Sequence, residues 1–368
     1  MVLAINAGSS SVKCALFTLA AEPQLRRREI IDGLAASSAA RLIDWIRAEA
    51  GDGSLGAIGH RIVHGGPAYR EPRLITDEVI QALKELIPLA PNHLSDAIAL
   101  IEALRRARPE VPQVACFDTA FHADLPEVVR RLPIPEAYAA RGVRRYGFHG
   151  LSYAFLLEEV ARLAGPAAAK GRLILAHLGN GSSLAAVRNG RSVDTTMGFT
   201  PMGGVVMSTR SGDLDPGVVT YLLRAARLSP DRAEELLSHD SGLLGVSGVS
   251  GDMRVLLERE SRDGRCRLAI EMYAYSIRKA IGGFAASLGG LDTLVFSGGI
   301  GENAAAVRAR ICDGLAFLGI TVDADRNAAH AAVISASEAA VTVRVIPTDE
   351  ELMVARASYT LIGSRCSS

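Results

Sequence analysis

Residues 2–6 and 12–19 form two short runs rich in Val, Leu, Ile and Phe around a small polar segment, so the chain opens with a predicted strand–turn–strand. "AARLIDWIRAEAG" sets Leu42, Ile43, Trp45 and Ile46 for one buried helical face, and "AIGHRIVHGG" predicts a strand ending at two glycines. Residues 77–105 alternate at helical period with a break at Pro88–Pro91, and "QVACFDTAF" predicts a strand whose end carries Asp118. The stretch "LPEVVRRLPIPEAYAARGVRRYGFHG" has three prolines and clustered arginines and reads as an irregular connection. "LSYAFLLEEVARLAG" predicts a helix closed by Gly165. "RLILAHLGNGSSLAAVRNG" then repeats the opening pattern of apolar strand, small polar turn and apolar strand, which suggests two related halves. Further on come a long helix "RLAIEMYAYSIRKAIGGFAASLG", a buried strand "DTLVFSGG", a helix from Asn303, a strand "VTVRVI" and a final helix from Glu350. Strands and helices alternate, so the fold class is α/β.

Composition narrows this picture. At 368 residues two domains are expected, and 49% apolar with 22% charged residues is a globular balance. Lys plus Arg and Asp plus Glu stand at 40 each, so no global field favours nucleic acid or an anionic membrane. Any anion site is therefore local. Five scattered cysteines without a CxxC pair argue against a disulfide framework and fit a reducing cytoplasm. No signal peptide and no membrane-spanning apolar run is expected.

Candidate chemistry lies in three turns. "NAGSSSVK" lacks the GxxxxGK[ST] pattern and precedes a strand, so it is a hairpin turn and not a P-loop. Its backbone N–H groups and serine hydroxyls can form an anion nest, with Asn6 offering an amide and Lys13 a point charge, although an ordinary hairpin has the same composition. "HLGNGSS" has the same character, with Asn180 and two hydroxyls. "SGGIGEN" follows a buried strand and opens a helix, the place where nucleotides bind in open α/β sheets. Together the three turns point to one bound ATP.

With these turns, the chain resembles the acetate kinase family, within the sugar kinase, actin and heat-shock chaperone ATPase superfamily. The resemblance runs nearly end to end through "NAGSSSVK", "GHRIVHGG", "FDTAFH", "YGFHG", "HLGNGSS", "MGFTPMGG", "TRSGDLDPG", "SGLLGVSGVSGDMR", "GGIGEN" and "PTDEELMVAR". It implies two related actin-like domains with ribonuclease H-like cores flanking a nucleotide cleft. Residues 1–122 with a returning helix 352–368 would form one domain, and residues 123–351 the nucleotide-binding other. It further implies Mg²⁺ (or Mn²⁺) near Asn6 and Glu350. Nucleotide contacts would come from Ser11, Lys13, His177, Leu178, Gly179, Asn180 and Gly181. Asp252, Met253, Arg254, Gly299, Ile300, Gly301, Glu302 and Asn303 would hold the adenosine side. Arg61 and Arg210 would grip the carboxylate substrate and the transferring phosphoryl group. Asp118, His93 and His149 would organise the reaction, with Val63, Asn92, Phe148 and Pro201 around the acyl group. The implied partners are a small carboxylic acid and ATP/ADP, in a cytoplasmic homodimer.

These residue types suit the chemistry. Phosphoryl transfer requires in-line placement and compensation of charge on the equatorial oxygens, a task suited to planar guanidinium forks. A carboxylate acceptor is already ionised at neutral pH, so Asp118 reads as an orienting group and not as a base. Family members usually carry an apolar residue just before the histidine of "APNHLSD"; Asn92 there implies either a side chain pointing elsewhere or a more polar pocket, with Ile62 among the remaining apolar walls. Propionate or butyrate as substrate, or a non-catalytic ATP-binding switch, are the alternative readings. Glu351 competes with Glu350 for the metal, since spacing does not separate adjacent carboxylates. His60 and His64 lack the companions of a zinc site, while His122, His239 and His330 read as packing or surface residues. Asp213 and Asp215 read equally as metal ligands or turn caps, and the glycine-rich run 242–251 as a mobile loop or a tight connection.

Overall fold

The computed structural model describes residues 1–7, 11–33, 35–50 and 55–366, and of these the side chains at 11, 35–38, 50, 91–93 and 364–366 are not described. The first turn at 8–10 and the side chains of Ser11, Asn92 and His93 therefore lie outside the described residues. The chain divides into two compact units. Unit 1 holds Met1–Ala123, Phe148–Phe155 and Asp349–Ser368, and unit 2 holds Asp124–Gly147 and Leu156–Thr348.

Unit 1 is built on a six-stranded sheet of β1 (Val2–Ala7), β2 (Ser11–Phe17), β3 (Leu25–Asp32), β4 (Ala57–Ile62), β5 (Arg73–Leu74) and β6 (Gln113–Phe117). Its order is β3-β2-β1-β4-β6-β5. β1, β2 and β3 are antiparallel neighbours, while β1, β4 and β6 run parallel. β1 reads as an unbroken apolar run because both its faces are covered. Leu3 and Ile5 pack with Leu42 and Ile46 of the helix Ala35–Ala50. Val2 and Ala4 pack on the other face with Val354 and Ala355 of the closing helix Glu350–Cys366. That helix lies so close to β4 that a Cβ on Gly59 would come within 2.4 Å of Val354 and of the Ser358 hydroxyl.

Unit 2 carries a five-stranded sheet of β7 (Arg172–Leu178), β8 (Ser182–Arg188), β9 (Arg191–Thr195), β10 (Thr293–Ser297) and β11 (Thr342–Val345), in the order β11-β10-β7-β8-β9. Again the first three strands are antiparallel neighbours, and β7, β10 and β11 are parallel. Apart from the edge strand β5, the two sheets share one topology. The single repeat read from the two strand–turn–strand patterns is therefore a repeat of the whole sheet, and the fold is the α/β, two-domain actin-like ATPase fold. The long helix Gly264–Leu288 lays Ile270, Tyr273, Ile277 and Ile281 into the main core of unit 2.

Some local expectations are corrected. The helix expected from Asn303 begins five residues earlier: Gly298–Asn303 is one helix, and Ala305–Cys312 follows after a non-helical Ala304. Residues 242–247 of the glycine-rich run are neither loop nor simple connection but a short helix ended by Gly248 in the left-handed conformation, at φ +63°. Ile62 is fully buried and packs with Ile80, Leu83, Leu94 and Phe117 in the core of unit 1.

Candidate active site

In unit 1 the parallel strands end at one edge, and the residues at their carboxyl ends carry the polar chemistry, as open α/β sheets commonly arrange it. Asn6 lies near the end of β1, Arg61 near the end of β4, and Asp118 directly follows β6. Arg61 and Asp118 are 57 residues apart yet form a forked pair. Arg61 Nη2 donates to Asp118 Oδ2 at 2.6 Å, and Nε donates to Oδ2 at 3.0 Å and Oδ1 at 3.1 Å. The remaining arm, Nη1, donates to Asn6 Oδ1 at 2.9 Å, and Asn6 Nδ2 donates to Glu350 Oε2 at 2.9 Å. Glu350 Oε2 also stands 3.7 Å from Arg61 Nη1. Glu351, the rival carboxylate, faces Arg28 instead, at 3.7 Å.

Asp118 is fully buried, whereas the Arg61 side chain keeps 16% exposure. Burial works against the Arg61 charge, but the Asp118 and Glu350 carboxylates outweigh it and hold the guanidinium protonated above its ordinary value. Burial likewise pushes the Asp118 carboxyl up, and the Arg61 fork opposes that rise. Bidentate geometry with an always-charged guanidinium keeps the pair ionised at neutral pH.

The segment around His149 braces Asp118 from the other side. The His149 backbone N–H donates to the Asp118 carboxylate, and Gly150 N–H donates to the Asp118 main-chain oxygen at 3.0 Å. A Cβ on Gly150 would sit 2.0 Å from that oxygen, so only glycine fits. His149 itself has φ +59°, a left-handed conformation that a non-glycine residue adopts at a cost. Phe148 is buried, meets the His64 ring edge-on at 5.5 Å, and its carbonyl lies 3.1 Å from His122 Nε2. His122 is thus a packing residue. Val63 is half-buried, and Lys13 is exposed on β2 in register with Asn6.

In unit 2 the second and third turns meet. The turn after β7 is closed by Gly179 N–H donating to Gly181 O at 3.0 Å and to Ser182 Oγ at 3.3 Å. Ser182 Oγ lies 2.9 Å from the buried Tyr273 hydroxyl. Asn180 is exposed, its carbonyl accepting from Ser208 N at 3.2 Å and its Oδ1 from Ser208 Oγ at 3.4 Å. Against this turn lies the helix Gly298–Asn303. Gly298 has φ +76°, and a Cβ there would stand 2.7 Å from Leu178 O, while one on Gly179 would reach Gly299 N at 4.0 Å. The sequence-predicted residues His177 to Gly181 and Gly299 to Asn303 are therefore neighbours. Within the helix the Glu302 carboxylate turns inward, accepting from Gly298 N at 2.8 Å and Thr348 N at 3.2 Å. Asn303 Nδ2 donates to Gly299 O at 2.9 Å.

Other expected residues of unit 2 fall into place less directly. Asp252 caps the helix Met253–Arg259 and pairs with the largely exposed Arg254 at 2.7 Å. Met253 is buried in the core, which leaves only its main chain for a ligand. Arg210 Nη1 donates to the Pro201 carbonyl at 3.2 Å. Asp213 accepts from Gly204 N and Asp215 caps the helix Pro216–Arg224, so both act as turn caps. His60 is buried against Gln113 at 2.8 Å, and among the described residues no group of three His, Cys, Asp or Glu could hold a metal. Two buried anchors behind the turns, Tyr273 and Arg308, were not singled out from sequence, because an aromatic or an arginine at helical spacing carries no mark of its partner.

Comparison with known proteins finds relatives along most of the chain. The model of the Acetokinase family matches residues 42–356. An acetate kinase of Rhodopseudomonas palustris is 43% identical, covering 98% of each chain. Two solved structures align over 98% of this chain and 99% of their own: Porphyromonas gingivalis acetate kinase at 37% identity and TM-score 0.88, and a propionate kinase from Francisella tularensis at 34% and 0.90. A family model spanning most of the chain and relatives matched end to end lead to one statement: the chain belongs to the acetokinase family of kinases.

Proposed function

We propose that the protein is an acetate kinase, transferring the γ-phosphoryl group of ATP reversibly to acetate to give acetyl phosphate and ADP. The observation that carries this reading is the Arg61–Asp118–Asn6–Glu350 constellation, in a chain matched to acetate kinases along its whole length. Arg61 is the group that meets the acid, because its guanidinium is ionised, fixed in plane and still partly exposed. Asp118, buried and braced by His149 and Gly150, orients Arg61 and takes no proton, since acetate arrives ionised. Arg210, whose Nη1 donates to the Pro201 carbonyl, would be the second guanidinium; Val63, Asn92, Phe148 and Pro201 would line the acyl group, and His93 and His149 would help organise the reaction.

The donor set suits a hard divalent cation. Asn6 and Glu350 offer oxygen ligands, and two carboxylates against one guanidinium leave local negative charge unbalanced. Mg²⁺ typically takes one or two carboxylates and fills its shell with water and phosphate, which fits a site with so few protein ligands. When bound it supplies charge neutralisation on the transferring phosphoryl group. Asn6 and Glu350 would hold it, and Lys13 would add a point charge toward the phosphates.

The nucleotide would be held by the two contacting turns of unit 2, residues 177–181 and 299–303, with Ser11, Asp252, Met253 (through its main chain) and Arg254 completing the set. We extend it to a homodimer. Its support is the exposed apolar surface of unit 2: Val218, Val219 and Tyr221 on the helix Pro216–Arg224, and Leu268, Met272 and Tyr275 on one stripe of the long helix. A cytoplasmic setting is supported by the buried free thiols of Cys14, Cys116, Cys266 and Cys312.

Propionate is the second reading, favoured by the close structural match to a propionate kinase. Hydroxamate trapping of acyl phosphate with ATP, Mg²⁺ and acids of one to four carbons tests both. Acetate is expected to give the highest kcat/KM. Highest turnover on propionate selects the second reading, and no product from any acid overturns both.

A further inference from the structure

Arg308 lies in the helix that follows the Gly298–Asn303 turn and is fully buried. Among the described residues no carboxylate pairs with it. Its donors meet neutral acceptors instead. Nε donates to Asn327 Oδ1 at 2.8 Å and Nη2 to Asn327 O at 2.8 Å, with the His330 ring, whose Nδ1 is 2.9 Å from the Glu302 carbonyl, packed beside it at 3.2 Å. Nη1 donates to the carbonyls of Gly301 at 2.9 Å and Glu302 at 2.8 Å. A buried cation without an anion is expensive, and an apolar side chain would make a cheaper core.

The acceptors show what that cost achieves. Gly298–Asn303 is six residues long with three glycines, too short and too flexible to hold its own shape. The Glu302 carboxylate holds its first N–H, and Arg308 holds the carbonyls at its far end. Asn327 links the brace onward by donating Nδ2–H to Ala305 O at 2.9 Å. We propose that Arg308 is a positioning residue, which with Asn327 pre-organises the 298–303 turn for the nucleotide. This rests on the reading of that turn as a nucleotide site. A turn ordered beforehand spares the ligand the entropy of ordering it, so the benefit is read in nucleotide affinity and not in the chemical step.

The test compares wild type, Arg308→Lys and Asn327→Ala in calorimetric binding of Mg·ADP and in steady-state kinetics. Lysine keeps the charge but cannot reach all four oxygens that the guanidinium holds. Arg308→Lys is expected to raise the Kd for Mg·ADP and the KM for ATP about tenfold, with kcat and the KM for acetate changed by less than about twofold. Asn327→Ala should shift nucleotide affinity in the same direction by about threefold. It also carries the test if the lysine variant does not fold. A lowered Tm with unchanged nucleotide affinity, or an equal rise in both KM values, would make Arg308 a purely structural residue and overturn the proposal. Wild-type protein that fails to bind Mg·ADP would instead remove the underlying nucleotide reading.

Discussion

Arg61, at the end of a parallel strand and partly exposed, and Arg308, fully buried in a helix, have opposite surroundings. Arg61 faces two carboxylates and an amide; Arg308 faces carbonyls, an amide and an imidazole. A guanidinium clamped by an ionised Asp118 is fixed in direction and, with part of its surface open, can meet another anion. A guanidinium spent on neutral acceptors, most of them main-chain carbonyls, has no donor left for a ligand, and its role is to shape backbone. The same side chain thus serves recognition in one unit and architecture in the other, according to what surrounds it.

That contrast can be broken experimentally. Asp118→Ala removes the buried partner of Arg61 and leaves Glu350, at 3.7 Å, as its remaining carboxylate, and a loss of about 3 kcal/mol of stability is expected in denaturant unfolding. An unchanged unfolding midpoint would show that Asp118 does not anchor Arg61. Arg61→Ala should cut kcat by about 10²–10³ as a lost electrostatic stabiliser, whereas Arg308→Lys should leave kcat nearly intact. Similar kcat losses in both variants would erase the distinction.

His60 sharpens the comparison, because it is buried beside Arg61 on the same strand but against a neutral partner. Burial pushes its pKa down to about 4 from the ordinary 6.5, with the Gln113 hydrogen bond opposing. The folded protein therefore resists protonating His60 where the unfolded chain does not. Its contribution to stability is complete above about pH 6.5 and is lost progressively as pH falls toward about 4, amounting to about 3 kcal/mol. Unfolding free energies at pH 7 and pH 4.5 should show this slope in wild type and a flatter one in His60→Gln; equal slopes would contradict it. The smallest effect is expected at the solvent-exposed pair of Arg172 and Asp292, where Arg172→Ala should leave Tm unchanged within error. A clear drop there would mean that exposed ion pairs matter here as much as buried ones.

How much could be read in the chain depended on burial. β1, β7 and β10 are covered on both faces, so their apolar runs and closing glycines announced them. β3, "LRRREIID", escaped because it is an edge strand with almost every residue exposed, and charges guard such an edge without leaving an apolar alternation. The helix Pro216–Arg224 likewise buries no residue. At the candidate site, the residue types and their motifs were readable, but their pairings were not. Nothing in spacing joins Arg61 to Asp118, places Glu350 rather than Glu351 beside Asn6, or sends Ile62 and Met253 inward.

Local chemistry in the chain was therefore sufficient for the α/β class, the paired strand–turn–strand units and the stock of arginines, carboxylates and glycine turns. Those follow from side-chain periodicity and turn conformation, which involve residues a few positions apart. Folding in three dimensions alone decided that one arginine would meet carboxylates and another only neutral acceptors. Such partnerships depend on which strand ends and helix termini converge, and convergence across tens or hundreds of residues leaves no periodic trace in the sequence.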